Sequence, residues 1–224
     1  MRKINLNSVN TKINNSVFSK SPTGLLVYGY LFFLVIAFLL LNLPFAKTAQ
    51  IDWLDTLFMA TSAVSTTGLI TAQPGSDYSF FGQLVTLLII QIGGIGYMTF
   101  GSFILIALKA KMSKDSLKKG LQVNKREFAF PKEFKPSEFV KKVILFTLIV
   151  EFTGALFLSY IFIQSGENMP IWSAIFHSVS AFCTAGFSLM TNSFQYYRGD
   201  LAVNAIISTL SLLGVIGFIV MVDY

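Results

Sequence analysis

Four apolar stretches, each long enough to cross a lipid bilayer, restrict this 224-residue chain to a small number of folds. They are residues 25–43, 80–108, about 143–163 and 201–222. A helix needs about 20 residues to cross the hydrocarbon core, and Glu151, in the third stretch, is the one charged residue among the four. With 54% hydrophobic and 12% charged residues, the composition is too apolar for an ordinary soluble domain. The sequence therefore predicts an all-α membrane protein with several crossings.

Most of the basic residues are concentrated in two segments. Of the 17 lysines and arginines, four lie in the tail 1–24 and eleven lie between Lys109 and Lys142. Short segments rich in lysine and arginine face the cytoplasm. We therefore expect the N-terminus and this central segment to be cytoplasmic, with an even number of crossings between them.

A further apolar piece, at 51–64, lies between the first two stretches and is too short to cross. It has about 14 residues and carries Asp52 and Asp55. At the centre of a membrane helix each carboxylate would cost about 2.5–3.5 kcal/mol, whereas at a helix N-terminus it complements the macrodipole. The sequence predicts a re-entrant half-helix here, followed by a loop that returns to the outer surface.

The second half of the chain repeats this plan. A shift of 118 positions aligns five residues around the short segment with five later ones, namely Phe58 with Phe176, Ser62 with Ser180, Ala63 with Ala181, Thr66 with Thr184, and Gly68 with Gly186. The motif GGIGY at 93–97 also matches GVIGF at 214–218, and such glycines favour close helix packing. Both copies start in the cytoplasm, so the repeat is parallel. The predicted domains are a tail (1–24), a first repeat (25–108), a basic linker (109–139) and a second repeat (140–224).

Runs of small and hydroxyl residues follow the two short segments: TSAVSTTGLI at 61–70 and SVSAFCTAGFS at 178–188. Non-helical backbone at membrane depth is tolerated only where it is buried in protein or lines a watery cavity. A glycine allows positive φ, so the preceding carbonyl oxygens can replace the hydration shell of a cation. Close helix packing is the alternative explanation, but the repeat and the required topology favour ion-binding loops.

The motifs AVSTTGL and SAFCTAGFSL resemble the pore loops of the KtrB/TrkH/HKT superfamily of potassium transporters, most closely the bacterial KtrB branch. The resemblance implies a potassium-channel-like fold built from helix–re-entrant pore loop–helix repeats, with K⁺ uptake through a filter of backbone carbonyls. The filter positions implied by the resemblance are Thr66, Thr67, Gly68, Leu69, Thr184, Ala185, Gly186 and Phe187. In that superfamily the filter glycine favours K⁺, so with glycine at both central positions the resemblance implies K⁺ rather than Na⁺ as the favoured ion.

The superfamily has four repeats around one pore, whereas two are recognisable here, which is half of a four-repeat pore. Two explanations stay open: the chain is the first half of a longer protein, which we favour, or a second chain completes the pore. The resemblance further implies a homodimer of the full-length form, a cytosolic RCK-type nucleotide-binding regulatory subunit (KtrA-like), and a multi-pass location in the bacterial plasma membrane. Na⁺ and H⁺ both stay open as coupling ions. Lysines near the helix ends predict contact with membrane lipids.

Two polar residues in apolar surroundings are candidates for polar support of the loops. Ionisable groups inside a membrane are usually functional or paired, so we expect Glu151 to be protonated or hydrogen-bonded to the adjacent half-helix rather than in contact with the ion. His177 aligns with Met59 and has no Cys, His or carboxylate cluster beside it. We therefore expect a buried packing role and no transition-metal site. The single cysteine, Cys183, is also expected to be a packing residue.

The chain has neither a nucleophile–base pair nor a metal cluster in its sequence motifs, so we do not expect an enzyme, a covalent cofactor or a nucleic-acid partner. The alternative to K⁺ transport is a non-conducting structural or regulatory membrane subunit that keeps the repeat fold without a working filter. Substitution of Gly68 and Gly186 separates these functions, because a filter glycine controls conduction whereas a packing glycine controls folding.

Overall fold

The computed structural model describes residues 22–96 and 136–216, and the regular elements in these ranges are all helical. The α-helices are α1 (Pro22–Leu41), α2 (Trp53–Val64), α3 (Pro74–Asp77), α4 (Phe80–Gly96), α5 (Pro136–Gln164), α6 (Pro170–Phe182) and α7 (Leu201–Ile216). Two short 3₁₀ turns, Pro44–Ala46 and Gln195–Tyr197, lie in the connections. The predicted all-α class is confirmed for these ranges.

The helices coincide with the predicted segments. Helices α1, α4, α5 and α7 lie in the four long apolar stretches, and α2 and α6 are the two short segments, with 12 and 13 residues. Helix α5 begins at Pro136, inside the predicted linker 109–139. The remaining linker residues up to 135, the tail up to residue 21, and the C-terminal ends of the second and fourth stretches lie outside the described residues. The proposed domain boundaries stay predictions.

Helix α5 has the length and the surface of a membrane-spanning helix. Its segment Lys141–Gln164 has 24 residues and a mean hydropathy of 2.0. Large apolar side chains along it are exposed, including Leu145, Phe152, Phe157 and Tyr160. A helix in the core of a soluble protein would bury such side chains, so this surface fits a lipid environment. Three shorter apolar helices occur among the described residues: Val27–Leu41, Phe80–Gly96 and Leu201–Ile216.

A shared hydrophobic core joins the two halves of the chain. Most of its buried members come from α1, α2, α4 and α6, including Leu41, Met59, Ile90, Phe176 and Phe182, and α5 and the second loop add others. A second cluster lies within the second half, where α5, α6 and α7 pack together, and contains Leu158, Phe162, Ala174, Tyr197 and Val203. Since α4 and α6 contribute to one core, the two halves of the chain are packed against each other.

Acidic residues in the connecting segments determine where some helices begin. The Asp52 carboxylate accepts a hydrogen bond from the Trp53 amide at 2.7 Å and caps α2. The Asp200 carboxylate accepts from the amides of Ala202 at 2.9 Å and Val203 at 3.1 Å at the start of α7. Side-chain oxygens at these positions satisfy amides that have no partner within the helix. The carboxylates therefore have a structural role at the helix ends.

Two adjacent glycines on α4 allow close contact with the ends of both half-length helices. A Cβ atom on Gly93 would overlap the carbonyl oxygen of Val64, at the end of α2. A Cβ atom on Gly94 would lie 2.6 Å from Sγ of Cys183, just after the end of α6. The close packing that the sequence predicts for the GGIGY motif is confirmed at these two positions. It places α4 against the starts of the two loops that follow α2 and α6.

Replacing Gly94 with alanine is expected to destabilise the protein by roughly 1–3 kcal/mol, the usual cost of inserting a methyl group into a packed interior. Gly29 on α1 is the matched control, because a Cβ atom there has no atom within 4 Å. Gly29→Ala is expected to be neutral or to stabilise by up to about 1 kcal/mol through helix propensity. Thermal unfolding midpoints in detergent measure both changes, and equal midpoints for the two variants would contradict this packing account.

Candidate ion-binding site

Helix α2 ends in a hydrogen-bonded chain reversal. The amide of Thr66 donates to the carbonyl of Ala63 at 3.3 Å, and the amide of Thr67 donates to that of Ser62 at 3.0 Å. This pair of bonds is the Schellman motif, which needs a left-handed residue after the helix. Thr66 has φ 50° and Gly68 has φ 81°. Glycine adopts positive φ readily, but for a β-branched threonine this conformation costs about 1–3 kcal/mol.

The loop after α6 has the same geometry, 118 positions later. The amide of Thr184 donates to the carbonyl of Ala181 at 3.0 Å, and the amide of Ala185 donates to that of Ser180 at 2.8 Å. The φ angles are 54° at Thr184 and 69° at Gly186. A threonine in the left-handed region followed two residues later by a left-handed glycine therefore occurs in both loops.

The threonine hydroxyls form equivalent bonds in the two loops. Oγ1 of Thr66 donates to the carbonyl of Ser65 at 2.8 Å, and Oγ1 of Thr184 donates to the carbonyl of Cys183 at 2.7 Å. Such local bonds between a hydroxyl and the backbone stabilise non-helical turns. They offset part of the cost of positive φ, and so help explain why threonine, rather than glycine, occupies these positions.

The two loops touch each other at their glycines. A Cβ atom on Gly68 would overlap the carbonyl oxygen of Ala185 and lie 3.3 Å from Cα of Gly186. A Cβ atom on Gly186 would lie 3.7 Å from Cα of Gly68. Backbone therefore meets backbone between the halves of the chain, and three of the eight predicted filter residues are in direct proximity.

The carbonyl oxygens at the centres of the two loops have no hydrogen-bond donor among the described residues. Between described residues, no hydrogen bond is formed to the carbonyls of residues 66–68 or 184–186. The segments 66–69 and 184–187 carry no charged side chain, and each loop follows the C-terminal end of a helix, where the macrodipole is negative. Unbonded carbonyl oxygens beside negative helix ends can coordinate a cation.

The loops differ where they leave the site. Phe187 is 2% exposed, and its carbonyl accepts a hydrogen bond from Oγ of Ser180 at 2.7 Å. Leu69, at the matching position of the first loop, is 60% exposed. The hydroxyl of Ser62, which matches Ser180, is buried and has no partner among the described residues. The second loop is therefore more tightly tied to its helix than the first.

Glu151 is buried between α4 and α6. Nε2 of Gln91 donates to Oε2 of Glu151 at 3.0 Å, and Sγ of Cys183 donates to Oε1 at 3.9 Å. Oγ of Ser178 donates to the backbone carbonyl of Glu151 at 2.7 Å. The carboxylate of Glu151 therefore bonds to α4 and to the residue after α6, its backbone carbonyl bonds to α6, and Cys183 is buried. The sequence analysis missed Gln91, although its position as an amide in an apolar stretch was a usable signal.

His177 is fully buried in α6, as predicted, and hydrogen bonds form at both ring nitrogens. Nδ1 lies 2.7 Å from the carbonyl of Ser173, and Nε2 lies 2.9 Å from Oγ of Ser188. Ser188 directly follows the predicted filter residue Phe187. His177 therefore contacts the segment that leaves the second loop, a contact that the sequence analysis did not predict.

Two further contacts across the halves were not predicted. Nε2 of Gln73, after the first loop, donates to the carbonyls of Ser188 at 3.2 Å and Met190 at 2.8 Å, after the second. Nε1 of Trp172 on α6 donates to Oε1 of Gln83 on α4 at 2.7 Å. Long-range pairs of this kind carry no sequence signal, because each partner is an ordinary polar residue about 90–115 positions from the other.

A family model described as a cation transport protein, TrkH, matches residues 16–224. The chain belongs to the TrkH family of cation transport proteins. This family assignment confirms the resemblance seen in the loop motifs and a membrane transport protein as the class.

Several curated relatives of this TrkH-family chain are potassium uptake proteins. It is 36% identical over 204 residues to the Ktr system potassium uptake protein B of Bacillus subtilis, covering 91% of this chain and 45% of that protein. It is 32% identical over 207 residues to the protein of the same name from Vibrio alginolyticus, covering 89% and 43%. It is 31% identical over 209 residues to the potassium/sodium uptake protein NtpJ of Enterococcus hirae, covering 91% and 45%. The chain thus spans less than half the length of these relatives.

The two loop glycines are expected to differ in their tolerance of alanine. Both have positive φ, so each alanine costs about 1–2 kcal/mol in backbone strain. Gly68→Ala also forces a methyl group against the Ala185 carbonyl, whereas Gly186→Ala meets ordinary contact distances. We expect Gly68→Ala to lower the thermal midpoint more than Gly186→Ala. The opposite order would show that the loops do not meet in the way described.

Proposed function

We propose that this chain forms half of a K⁺-conducting pore, in which the backbone of Thr66–Leu69 and Thr184–Phe187 forms the selectivity filter, with the Phe187 carbonyl held by Oγ of Ser180. The proposal is carried by the matched pair of loops, with equal left-handed threonines and glycines, in contact at Gly68 and Gly186. The potassium uptake proteins among its relatives support the same ion.

The chemistry of these loops suits a dehydrated cation. An isolated charge in a low-dielectric environment is very unfavourable, and carbonyl dipoles can replace the water shell of K⁺. Left-handed torsions at 66 and 68, and at 184 and 186, turn successive peptide planes so that their oxygens can face one axis. Strained backbone persists where surrounding structure supports it, and it concentrates at functional sites. The strain at Thr66 and Thr184 fits a role in presenting these oxygens.

A complete filter needs more than two loops. Potassium channels use four, and the curated relatives are more than twice as long as this chain. We propose that two further repeats complete the ring, supplied by a C-terminal continuation of the chain or by a second copy. In this arrangement α1, α4, α5 and α7 cross the membrane, and α2 and α6 are re-entrant.

The same proposal sets the orientation and the partners. The tail 1–24 and the basic segment 109–139 face the cytoplasm of a bacterial cell, where their lysines meet anionic lipids. The full-length form is a homodimer that binds an RCK-type nucleotide-binding regulatory subunit on this surface. The Ktr system named for the relatives is consistent with additional components.

Uptake of ⁸⁶Rb⁺ into liposomes tests the proposal directly. Two preparations are compared: the 224-residue chain, and the reading frame extended past Tyr224 if the gene continues. Na⁺ competition reports selectivity. Gly68→Ser is expected to abolish uptake or reduce the preference over Na⁺ by at least about tenfold, equal to about 1.4 kcal/mol. Its backbone strain and the overlap with Ala185 both displace the filter carbonyls.

Gly166→Ser is the matched control for this experiment. Gly166 has φ 71°, so serine there carries similar backbone strain, but a Cβ atom meets no atom within 4 Å and the residue is outside both loops. We expect uptake by this variant to equal that of the unchanged protein. If neither folded preparation transports Rb⁺, the protein is a non-conducting structural or regulatory subunit. Uptake by the 224-residue chain alone favours assembly from two copies.

A further inference from the structure

The hydrogen bonds around His177 define the tautomer of its ring. Nδ1 lies 2.7 Å from the Ser173 carbonyl, which can only accept, so Nδ1 carries the proton. Nε2 is then an acceptor. It receives hydrogen bonds from Oγ of Ser188 at 2.9 Å and from the amide of Leu189 at 3.3 Å. One neutral imidazole thus connects α6 to two consecutive residues of the segment that leaves the second loop.

Aromatic rings hold the imidazole in this orientation. Phe194 packs edge-on at a centroid distance of 4.8 Å, and Phe162 and Phe176 each pack edge-on at 6.0 Å. These rings come from α5, α6 and the segment before α7, and edge-to-face packing is a favoured geometry for aromatic groups. His177 is 1% exposed. The ring therefore has little freedom to turn away from its partners.

Three consecutive residues after Gly186 are each held by a side chain. The Phe187 carbonyl accepts from Ser180, the Ser188 hydroxyl and the Leu189 amide donate to His177, and the Ser188 carbonyl accepts from Gln73 of the first half. These contacts leave the end of the second loop with few alternative positions. The unbonded loop carbonyls belong to residues 184–186, the three residues directly before Phe187.

Among the described residues, the first loop has only a weaker attachment at the matching place, where Oγ1 of Thr71 donates to the backbone carbonyl of Asp55 at 3.5 Å. Met59 occupies the position that matches His177, and its thioether provides no comparable hydrogen bond. The two residues after Gly68, Leu69 and Ile70, are 60% and 41% exposed. The two loops have left-handed φ angles at matching positions but different supports, and His177 accounts for much of that difference.

We propose that His177 is a positioning residue that fixes the exit of the second loop and so contributes to the ion preference of the filter. It acts through Ser188 and Leu189 and does not touch the ion. The inference rests on the proposed function, since it concerns the geometry of the same carbonyls. The size of a ring of carbonyls and the number of its dipoles determine which cation it prefers. If the exit of the second loop is released, we therefore expect its carbonyls to distinguish K⁺ from Na⁺ less well.

The test uses two substitutions of His177 in the transport-competent preparation. His177→Leu removes both nitrogens and leaves the Leu189 amide without its partner. His177→Gln keeps an amide oxygen that can accept near the position of Nε2. The readouts are the Na⁺ concentration that halves ⁸⁶Rb⁺ uptake, and the increase in thermal midpoint produced by K⁺ compared with Na⁺. The second readout measures ion binding without requiring conduction.

His177→Leu is expected to reduce the preference for K⁺ over Na⁺ by about fivefold, the effect of losing one buried hydrogen bond. His177→Gln is expected to restore it to within about twofold, since one acceptor is kept. Met59→Leu is the matched control at the equivalent buried position of the first half, and it should leave the preference unchanged. Ser188→Ala removes one of the two hydrogen bonds to Nε2 and replaces His177→Leu in the test if that variant does not fold. It is expected to reduce the preference for K⁺ by a smaller factor.

The outcomes separate this inference from the function on which it rests. An unchanged ion preference in folded His177→Leu or Ser188→Ala, beside a K⁺-selective unchanged protein, overturns the role of His177 and leaves the filter proposal intact. A reduced preference for K⁺ over Na⁺ in both His177→Leu and His177→Gln also overturns it. In that case, keeping a hydrogen-bond acceptor near the position of Nε2 would not preserve the ion preference. If the unchanged protein neither transports nor binds K⁺ selectively, the proposed function fails and the inference fails with it.

Discussion

The approach of two pieces of backbone at Gly68 and Gly186 is the constraint on which the rest of the structure depends. A side chain at Gly68 would overlap the Ala185 carbonyl, so the contact exists only without a Cβ atom. Non-helical backbone can lie among apolar helices only if it is enclosed by protein or lines a cavity. Gly93 and Gly94 help to enclose it, since they let α4 pack against the ends of both short helices.

Buried polar side chains beside the second loop have defined partners, whereas the buried Ser62 hydroxyl of the first half has none among the described residues. Glu151 bonds to Gln91 and Cys183 at the loop entrance, while His177 bonds to Ser188 and Leu189 at its exit. A buried polar group without a partner costs about 1–3 kcal/mol, so these bonds resist displacement of the segment. The first loop relies on its helix end, its glycine contact and hydroxyl bonds of Ser65 with Thr67 and of Thr71 with the Asp55 carbonyl, so the pair is asymmetric although both loops have left-handed φ at matching positions.

Much of the helical architecture could be predicted from residue pattern alone. Long apolar runs identify α1, α4, α5 and α7, because backbone groups in lipid must be satisfied within the helix. The short run with Asp52 at its start identified α2, and the structure shows that carboxylate capping the helix. The repeat offset of 118 positions predicted the equivalence of Thr66 and Thr184, which have φ angles of 50° and 54°. These features could be predicted from residue patterns because the position of a helix end and the conformation of a glycine turn depend on residues nearby in the sequence.

The sequence by itself determined the membrane class, the half-length helices, and the two glycine-containing loops, since apolar length and backbone freedom are properties of short segments. Only the tertiary structure decided that Gly68 meets Ala185 and Gly186, that Gln73 reaches Ser188, and that His177 holds the exit of the second loop. These contacts depend on how α4 and α6 pack across the two halves. The position of a buried hydrogen-bond partner is set by that packing, and no local pattern of residues encodes it.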